Sequence, residues 1–539
     1  MPIKRALLCL FVLTLVAAPA WAQFETGNVV GTIKDSTGAV VPGAKVTLTN
    51  TQTGVTAERT SDANGNYEFF TVRPGTYVIT GEKDGFSIAL VDNVIVTVGA
   101  RQRVDLNMAV GQLTEKVEVS ASAVLLQTDS SDRSHVITGE QTKALPLNGR
   151  EYSALALLSP GVRLSALNTG GFTPREGSFN VNGLRSTFNN FLIDGVDNNA
   201  YGTSNQGFSN QVMQPSPDAV GEFKVVTNNM SAEYGRSAGA TINVAYASGT
   251  NTFRGSVWEF MRRTELNATG FFRPATGVKP GYDRDQYGGV LGGPIVRNKA
   301  FFFADVEIFD QTRSQTTSQT IATLAQRSGI LAVDVRNPLT GDMYPAGTAI
   351  PMTAFARKVL NDLPQPTNSG TANNLQVLQE FTNRTPKAGG KVDLQISPRL
   401  SLFGRVGWRD ADILDMPPIS GPSGGAGNAE TYVTNKQFSS GLTYTPTGSS
   451  LLEVRFGWSN TRAGKNPYSL YSGEAPADVV YGITGLPNDP RVAAGLPTQL
   501  ITGFSDLGRQ ATNPQWQWPT VFNPKVNYSF VRGRHSAKM

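Results

Sequence analysis

The chain has 539 residues, and because single hydrophobic cores stop growing at about 250 to 300 residues, several domains are expected. Charged residues make up 17% and apolar residues 39% of a glycine-rich chain, which favours a β-rich, loop-rich protein over a helical one. The net charge of +5 is small and the lysines and arginines are scattered, which argues against nucleic-acid binding.

Residues 1–22 are typical of a cleaved export signal. A basic pair precedes an apolar run, and Ala20-Trp21-Ala22 places small residues at the two positions that a signal peptidase recognises. Cleavage would remove Cys9, the single cysteine, so thiol catalysis, disulfides and cysteine-based metal sites are excluded for the mature chain. No later apolar run approaches the roughly 18 residues of a spanning helix, so a membrane crossing would require a β-barrel.

Residues 23–110 are predicted to form a small antiparallel β-sandwich. Short alternating segments such as KVTLTN, NYEFF and GTYVIT are separated by the turn sequences DSTG, ANGN and RPG. Tyr67, Phe69 and Tyr77 alternate as core residues would. The order DSTGAVVPGAKVTLTN, DANGNYEFFTVRPGTYVIT, KDGF resembles the carboxypeptidase regulatory-like domain, a transthyretin-like sandwich grouped with carbohydrate-binding-like folds. This resemblance implies a non-catalytic accessory module.

Residues 111–125 contain the extended segment QLTEKVEVSA, in which Val117 and Val119 share one face and Glu118 lies on the other. Two interpretations stay open on the residues alone. The segment could add a strand to the sheet edge of a partner protein, where backbone hydrogen bonds supply affinity. It could equally be a linker or a last strand of the sandwich.

Residues 126–248 contain long ordered motifs: ALPLNGREYSALALLSPGV, FNVNGLRSTFNNFLIDGVDNN and PSPDAVGEFKVVTNNMSAEYGRSAGATINVAYAS. They resemble the plug of TonB-dependent outer-membrane receptors, and more narrowly the Oar-like receptors that carry a regulatory-like sandwich in front of the plug. The resemblance implies that a TonB-type periplasmic energy-transducing protein binds an extended segment before the plug. We place that contact at Glu115, Lys116, Val117, Glu118 and Val119.

The sequence FLIDG within the plug motif predicts a buried strand that runs into a tight turn. Phe191 to Ile193 supply the apolar strand, and Asp194 and Gly195 form a turn that only small or polar residues fit. Asp194 and Asp197 lack the alternating ligands and the distal glutamate of a calcium loop, so no metal site is predicted.

Residues 249–539 alternate between apolar and polar side chains, as in KVDLQIS and RLSLFGRVGW. Strands of about 9 to 11 residues with one apolar and one polar face suit a barrel with lipid outside and water inside. A soluble sandwich would show similar alternation, and the export signal and the plug resemblance decide for the barrel. The long Pro-, Gly- and Asn-rich segments 313–385, 410–432 and 460–520 are predicted to be loops outside the cell.

The sequence offers little for catalysis, so no enzyme activity and no cofactor are predicted. The two histidines, His135 and His535, are far apart and lack a neighbouring constellation of carboxylate and nucleophile. Asp283 and Asp285 flank Arg284 in YDRDQY, which we interpret as a solvated loop.

The expected fold class is mainly β: a small N-terminal sandwich, a mixed α/β plug, and the first part of an antiparallel transmembrane barrel. The preferred hypothesis is an outer-membrane receptor that takes up a solute, with a glycan or peptide fragment suggested by the sandwich's relatives. Its expected partners are outer-membrane lipid, a TonB-type protein and the extracellular solute, with no nucleic acid.

Two alternatives remain at this stage. A surface adhesion or structural protein would bind polymer without transport and would be indifferent to the proton gradient. The second alternative is a truncated, non-functional receptor, because we count about eight candidate barrel strands where the resemblance implies roughly twenty-two. An open barrel would leave unpaired backbone groups in lipid.

Overall fold

The computed structural model describes residues 26–111, 116–120, 131–165, 177–201, 209–230, 235, 237–269, 277–424, 429–532 and 535–539. The predicted export signal at residues 1–22 and the predicted contact residue Glu115 lie outside these ranges.

The first domain is a β-sandwich of two sheets. Its strands are β1 (Gly27–Asp35), β2 (Lys45–Asn50), β3 (Thr56–Thr60), β4 (Asn66–Val72), β5 (Gly75–Glu82), β6 (Ile88–Val96), β7 (Arg101–Arg103), β8 (Leu106–Met108) and β9 (Lys116–Ser120). One sheet has the order β4-β1-β7, with β8 also pairing with β1, and the other has the order β3-β2-β5-β6-β9.

The interior of the sandwich is built from the alternate apolar residues of both sheets, because every second side chain of a strand faces the same side. Tyr67, Phe69 and Tyr77 are buried there, as predicted. The predicted antiparallel sandwich of residues 23–110 also contains two parallel pairings, those of β7 and β8 with β1. Strand β9, from the segment for which a last sandwich strand was one open interpretation, runs parallel to β6. These are the strands that return across the sandwich instead of forming hairpins.

The second domain is the plug, a small mixed sheet with short helices. Its elements are β10 (Arg133–Thr138), α1 (Gly139–Ala144), a 3-10 helix (Tyr152–Leu158), β11 (Val162–Leu164), β12 (Phe179–Val181), β13 (Asn190–Ile193), β14 (Val196–Asp197), β15 (Val220–Asn228) and β16 (Thr241–Tyr246). The main sheet has the order β10-β15-β16-β13-β14, and β11 pairs with β12. Its core is continuous and apolar, which accounts for the burial of FLI in β13.

The third domain is one large antiparallel sheet with ordered loops. Its strands are β17 (Arg254–Arg262), β18 (Tyr282–Val296), β19 (Ala300–Gln319), β20 (Val335–Arg336), β21 (Met343–Tyr344), β22 (Leu375–Ser397), β23 (Leu400–Asp415), β24 (Ala429–Thr447), β25 (Ser450–Asn466), β26 (Gln515–Gln517), β27 (Thr520–Arg532) and β28 (His535–Lys538). The order is β17-β18-β19-β22-β23-β24-β25-β27-β28, with β26 also on β25 and β20 paired only with β21. Within the described residues the sheet does not close on itself.

The two faces of this sheet match the predicted alternation. In β23, Val406 and Trp408 are exposed on the outer face, with 57% and 38% of their surface accessible, while Arg405 and Arg409 are buried on the inner face. Apolar side chains outward and polar side chains inward are the pattern of a strand between lipid and a wet lumen.

The predicted strand lengths and loop limits need correction. β22 has 23 residues and β24 has 19, well beyond the predicted 9 to 11, and the sheet contains ten strands where about eight were counted. YDRDQY is part of β18 and not a loop. The alternation fades where a strand continues past the lipid, because both faces are then wet, and the sequence pattern no longer marks it.

The loop segments that remain between the long strands are packed together. They contain α2 (Leu324–Arg327), α3 (Ala354–Asn361), α4 (Tyr468–Tyr471), α5 (Ala477–Tyr481) and α6 (Pro490–Ala493). Ile321, Val359, Ile419, Tyr481 and Leu496 share one apolar cluster, so these loops form a single ordered cap. None of the helices in the described ranges is both long and apolar enough to cross a membrane.

Candidate functional site: the plug and its contacts

The turn predicted at FLIDG joins β13 to β14. Leu192 pairs with Asp197 and Ile193 with Val196, so Asp194 and Gly195 are the two turn residues. Both have positive φ, 50° and 71° respectively, which is the geometry of a type I′ hairpin turn. Aspartate tolerates this conformation and glycine adopts it without steric cost.

The carboxylate of Asp194 is the centre of a buried ionic cluster. Its side chain is fully buried, Lys391 Nζ lies 3.0 Å from Oδ1, and Arg405 Nε lies 3.0 Å from Oδ2 without hydrogen-bond alignment. The backbone N–H of Tyr246 donates to Oδ1 at 3.1 Å. Because Lys391 and Arg405 belong to the barrel strands β22 and β23, this turn ties the plug to the barrel wall through charge.

A second ionic cluster lies elsewhere on the same interface. The plug residue Arg150 contacts Glu307 of β19 at 2.8 Å, and Lys387 of β22 contacts the same carboxylate at 2.8 Å. Arg150 also pairs with Asp218 of the plug, and its guanidinium lies 4.6 Å from the ring centre of Trp258. The carboxylate of Glu307 is 1% exposed and is shared by two cations, one from the plug and one from the barrel.

Hydrogen bonds from barrel side chains to plug backbone carbonyls complete the contact between plug and barrel. Lys525 Nζ donates to the Gly195 carbonyl at 2.8 Å, Asn435 donates to Val212 O at 2.7 Å, and Gln437 donates to Asp197 O at 3.0 Å. The three donor side chains are 7%, 2% and 3% exposed, so these hydrogen bonds lie within the buried contact between the two domains. The plug is therefore held by buried polar contacts, beside apolar ones such as that of Tyr246 with Phe303 of β19.

The predicted partner-binding segment forms strand β9. The backbone of Lys116 to Ser120 pairs in parallel with Ile88 to Asp92 of β6, so Val117 aligns with Ala89 and Val119 with Val91. The structure thus places Lys116, Val117, Glu118 and Val119 at the edge of a sandwich sheet. Asp194 and Gly195 lie in the plug, so the two predicted groups of site residues belong to different domains.

The sandwich contacts plug strand β15 at one turn. Glu222 accepts a hydrogen bond from the backbone N–H of Val98, and Lys224 Nζ donates to the Gly99 carbonyl at 3.3 Å. Lys224 is 1% exposed and also lies 3.6 Å from Asp132. Burial raises the pKa of Glu222 to about 7 and lowers that of Lys224, since a charged side chain loses its water there.

The sandwich also contacts the barrel sheet, at the end of the sheet where short turns join its strands. Arg73 pairs with the buried carboxylate of Asp393 in β22 at 2.9 Å, and Asn251 donates from its side chain to Thr53 O at 2.7 Å. A cavity of about 890 Å³ lies between sandwich, plug and barrel turns. Arg59, Glu222 and Asp393 are among its lining residues.

Among the residues that the structure describes, no group of three or more His, Cys, Asp or Glu side chains is gathered. Asp197 accepts hydrogen bonds from Tyr201 Oη at 2.6 Å and from Asn199 N at 2.9 Å. Like Asp194, it already has partners within the protein.

The sequence alone does not reveal the barrel partners of the plug. Lys391 and Arg405 belong to the polar faces of the segments KVDLQIS and RLSLFGRVGW, and Glu307 carries no distinguishing signal. A charged residue at a lumen-facing position in the middle of a strand is a usable signal, but it names no partner. Only the fold brings Asp194 within reach of residues about two hundred positions away.

Three family models match the chain in the order of its domains. The carboxypeptidase regulatory-like domain matches residues 28–109, the TonB-dependent receptor plug domain matches residues 126–242, and the outer membrane beta barrel domain matches residues 245–539. The barrel match alone covers more than half of the chain.

Individual proteins are similar to parts of the chain. The chain is 28% identical over 307 residues to the TonB-dependent transporter Oar of Myxococcus xanthus, which covers 54% of this chain and 27% of that protein. Among solved structures, the outer membrane transporter YddB of Escherichia coli has a TM-score of 0.43 at 12% identity, covering 75% of this chain and 47% of YddB. The ferric enterobactin receptor PfeA of Pseudomonas aeruginosa has a TM-score of 0.41 at 12% identity, covering 74% and 46%.

The chain thus spans about a quarter of the curated relative and about half of these solved structures. The order of sandwich, plug and barrel sheet in the structure is the order of the three family matches. The chain belongs to the outer-membrane β-barrel family, as an Oar-like TonB-dependent receptor of the cell outer membrane with a carboxypeptidase regulatory-like sandwich before its plug.

Proposed function

We propose that this receptor takes up a solute across the outer membrane, with energy supplied by a TonB-type protein of the periplasm. The observation that carries the proposal is the ionic contact of the plug turn with the barrel wall, at Asp194, Lys391 and Arg405. Charged and hydrogen-bonded contacts hold the plug firmly at rest and can be replaced by water during its displacement.

The partner contact is proposed at Glu115, Lys116, Val117, Glu118 and Val119. Its support is the extended backbone of β9, which pairs with β6 on one side and with no other strand in the described part of the chain. An edge strand presents unpaired N–H and C=O groups, and a partner strand can bind to them by sheet extension.

The solute is proposed to be a glycan or a peptide fragment. Support comes from the sandwich's resemblance to carbohydrate-binding-like folds and from aromatic side chains on the ordered cap. The ring centres of Tyr468 and Tyr471 lie 6.1 Å apart, and the guanidinium carbon of Arg491 lies 4.2 Å from the ring centre of Trp516. The side chain of Tyr471 is 55% exposed. Binding sites for small molecules combine aromatic surface with a few polar groups in this way.

The partner contact can be tested by binding of the purified periplasmic domain of a TonB-type protein to the full chain. Val117→Pro removes a backbone N–H from β9 and should abolish binding, because sheet extension depends on backbone hydrogen bonds. Val117→Ile keeps the backbone and should bind as the unchanged chain does. Equal binding by the proline variant would show that the contact lies elsewhere.

Transport is tested in energised cells by uptake of fluorescently labelled oligosaccharide and peptide mixtures. Deletion of residues 114–120 should reduce uptake to the level of cells whose proton gradient has been collapsed. Unchanged uptake in the deletion variant would overturn the assignment. Uptake that is indifferent to the proton gradient would instead favour a surface protein that binds polymer without transport.

A further inference from the structure

The partner-binding strand β9 has two connections to the plug. The covalent one runs from Ser120 along the chain to β10, which pairs with β15 from Arg133 to Thr138. The second is non-covalent and runs through the sandwich. The backbone of β9 pairs with β6 over five positions, from Lys116 opposite Ile88 to Ser120 opposite Asp92.

The second connection also reaches β15. Strand β6 ends at Val96, and the next turn presents the Val98 N–H to Glu222 and the Gly99 carbonyl to Lys224. Both side chains are buried, with 7% and 1% of their surface accessible. Glu222 and Lys224 each lie opposite a residue in both neighbouring strands of the plug sheet. Glu222, for example, pairs with Thr138 of β10 and with Ala245 of β16.

The two connections therefore converge on the same plug strand, one through the pairing of β15 with β10 and the other through the side chains of Glu222 and Lys224. The sandwich has separate contacts to the barrel, through Arg73 with Asp393 and through Thr53 with Asn251. Its contacts to the plug and to the barrel use different residues and can be broken independently.

We infer that the sandwich is a mechanical link in plug displacement, and that Glu222 and Lys224 are the positioning residues that transmit movement of β9 to β15. The inference rests on the proposed function, since it takes β9 as the strand that the energy-transducing partner binds. The contacts of Glu222 and Lys224 carry load from the sandwich into the plug, whereas the Arg73–Asp393 pair holds the sandwich to the static barrel.

A buried cysteine can report plug displacement in cells that express the full chain. Val196 is 1% exposed and packs on Gly457 of β25, so a thiol in Val196→Cys is covered while the plug is in place. Apart from Cys9 in the predicted export signal, the chain has no cysteine of its own. Labelling of V196C by a polar maleimide should be faster in energised cells than after collapse of the proton gradient.

The link is tested by Glu222→Leu with Lys224→Met in the V196C background. The energised labelling rate should fall to that of de-energised cells, while the purified TonB-type domain still binds the variant. Glu222→Gln with Lys224→Arg should keep the wild-type rate, because the amide oxygen still accepts from Val98 and the guanidinium still donates to Gly99. The exposed sandwich pair Lys45 and Glu58, changed to Met and Leu, is the matched control and should leave the rate unchanged.

Breaking the contact between sandwich and barrel should have the opposite effect on the labelling rate. Arg73→Met with Asp393→Asn should raise the energised labelling rate, since the sandwich is then freer to follow β9. General misfolding would change the labelling rates of both double variants in the same direction. The inference is overturned if E222L/K224M is labelled as fast as wild type, or if wild type binds the TonB-type domain without any energy-dependent labelling. Loss of binding in wild type would overturn the proposed function and the link with it.

Discussion

Asp194 shows how one residue can serve both backbone geometry and electrostatics. Its positive φ is required by the hairpin turn, and its carboxylate faces Lys391 and Arg405 in the barrel wall. Taking three charges out of water is expensive, and the arrangement is stable only while opposite charges remain paired. The turn therefore fixes the position of the carboxylate, and the barrel cations determine which ionic contacts it makes.

We expect Asp194→Asn to weaken the attachment of the plug by about 3 kcal/mol, because Lys391 and Arg405 would remain buried without their counter-charge. Asparagine tolerates positive φ, so the turn itself should be kept. The measurement is denaturant-induced release of the plug, followed by proteolysis of the full chain. Adding Lys391→Met to the variant should recover part of the loss, and an unchanged midpoint in D194N would contradict the importance of the cluster.

At the scale of elements, the barrel strands combine two environments on one backbone. In β23 the outward side chains Val406 and Trp408 are exposed to the surroundings, whereas Arg405 on the inner face is 2% exposed. A shift of register by one residue would exchange the two faces. The pairing of β22, β23 and β24 over long stretches makes such a shift costly.

We expect Val406→Lys to destabilise the folded barrel sheet by about 2 to 4 kcal/mol in a bilayer, because a charge on the lipid face near mid-membrane loses its water. Ser449→Lys, in the exposed turn between β24 and β25, is the matched control and should have little effect. Heat-modifiable migration of the full chain refolded into lipid vesicles measures the folded fraction. Equal folded fractions for the two variants would show that Val406 does not face lipid.

At the scale of the whole molecule, the contact between sandwich and plug should respond to pH. Burial raises the pKa of Glu222 from 4.5 to about 7 when the sandwich is docked, so docking favours the protonated carboxyl. The contribution of protonated Glu222 to the free energy of docking is fully present below pH 4.5 and is lost as the pH rises through about 7. Lys224, whose partner Asp132 lies 3.6 Å away, is the neighbouring cation at this contact.

We expect the sandwich to dock more tightly at pH 5.5 than at pH 8, by at most about 3 kcal/mol for this difference in pKa. Energy transfer between dyes on cysteines at exposed Asp84 and Ser449 would report the docked fraction of the full chain. Glu222→Gln should abolish the pH dependence while the sandwich still docks. A docked fraction with the same pH dependence in both proteins would assign the response to another group.

The sequence by itself determined the class of each domain and the direction of its side chains. Turn residues such as Gly195 and the alternation around Val406 and Arg405 are local properties, set by backbone sterics and by which face meets lipid. Ordered motifs also identified the sandwich and plug families. Strand lengths were underestimated, because the alternation weakens where both faces are wet.

Only the tertiary structure decided which residues act together. Asp194 meets Lys391 and Arg405, β9 pairs with β6, and Glu222 meets the turn after β6. None of these contacts leaves a local pattern, because each joins segments distant in the chain, and a buried charge reveals its partner only when folding removes the water from both.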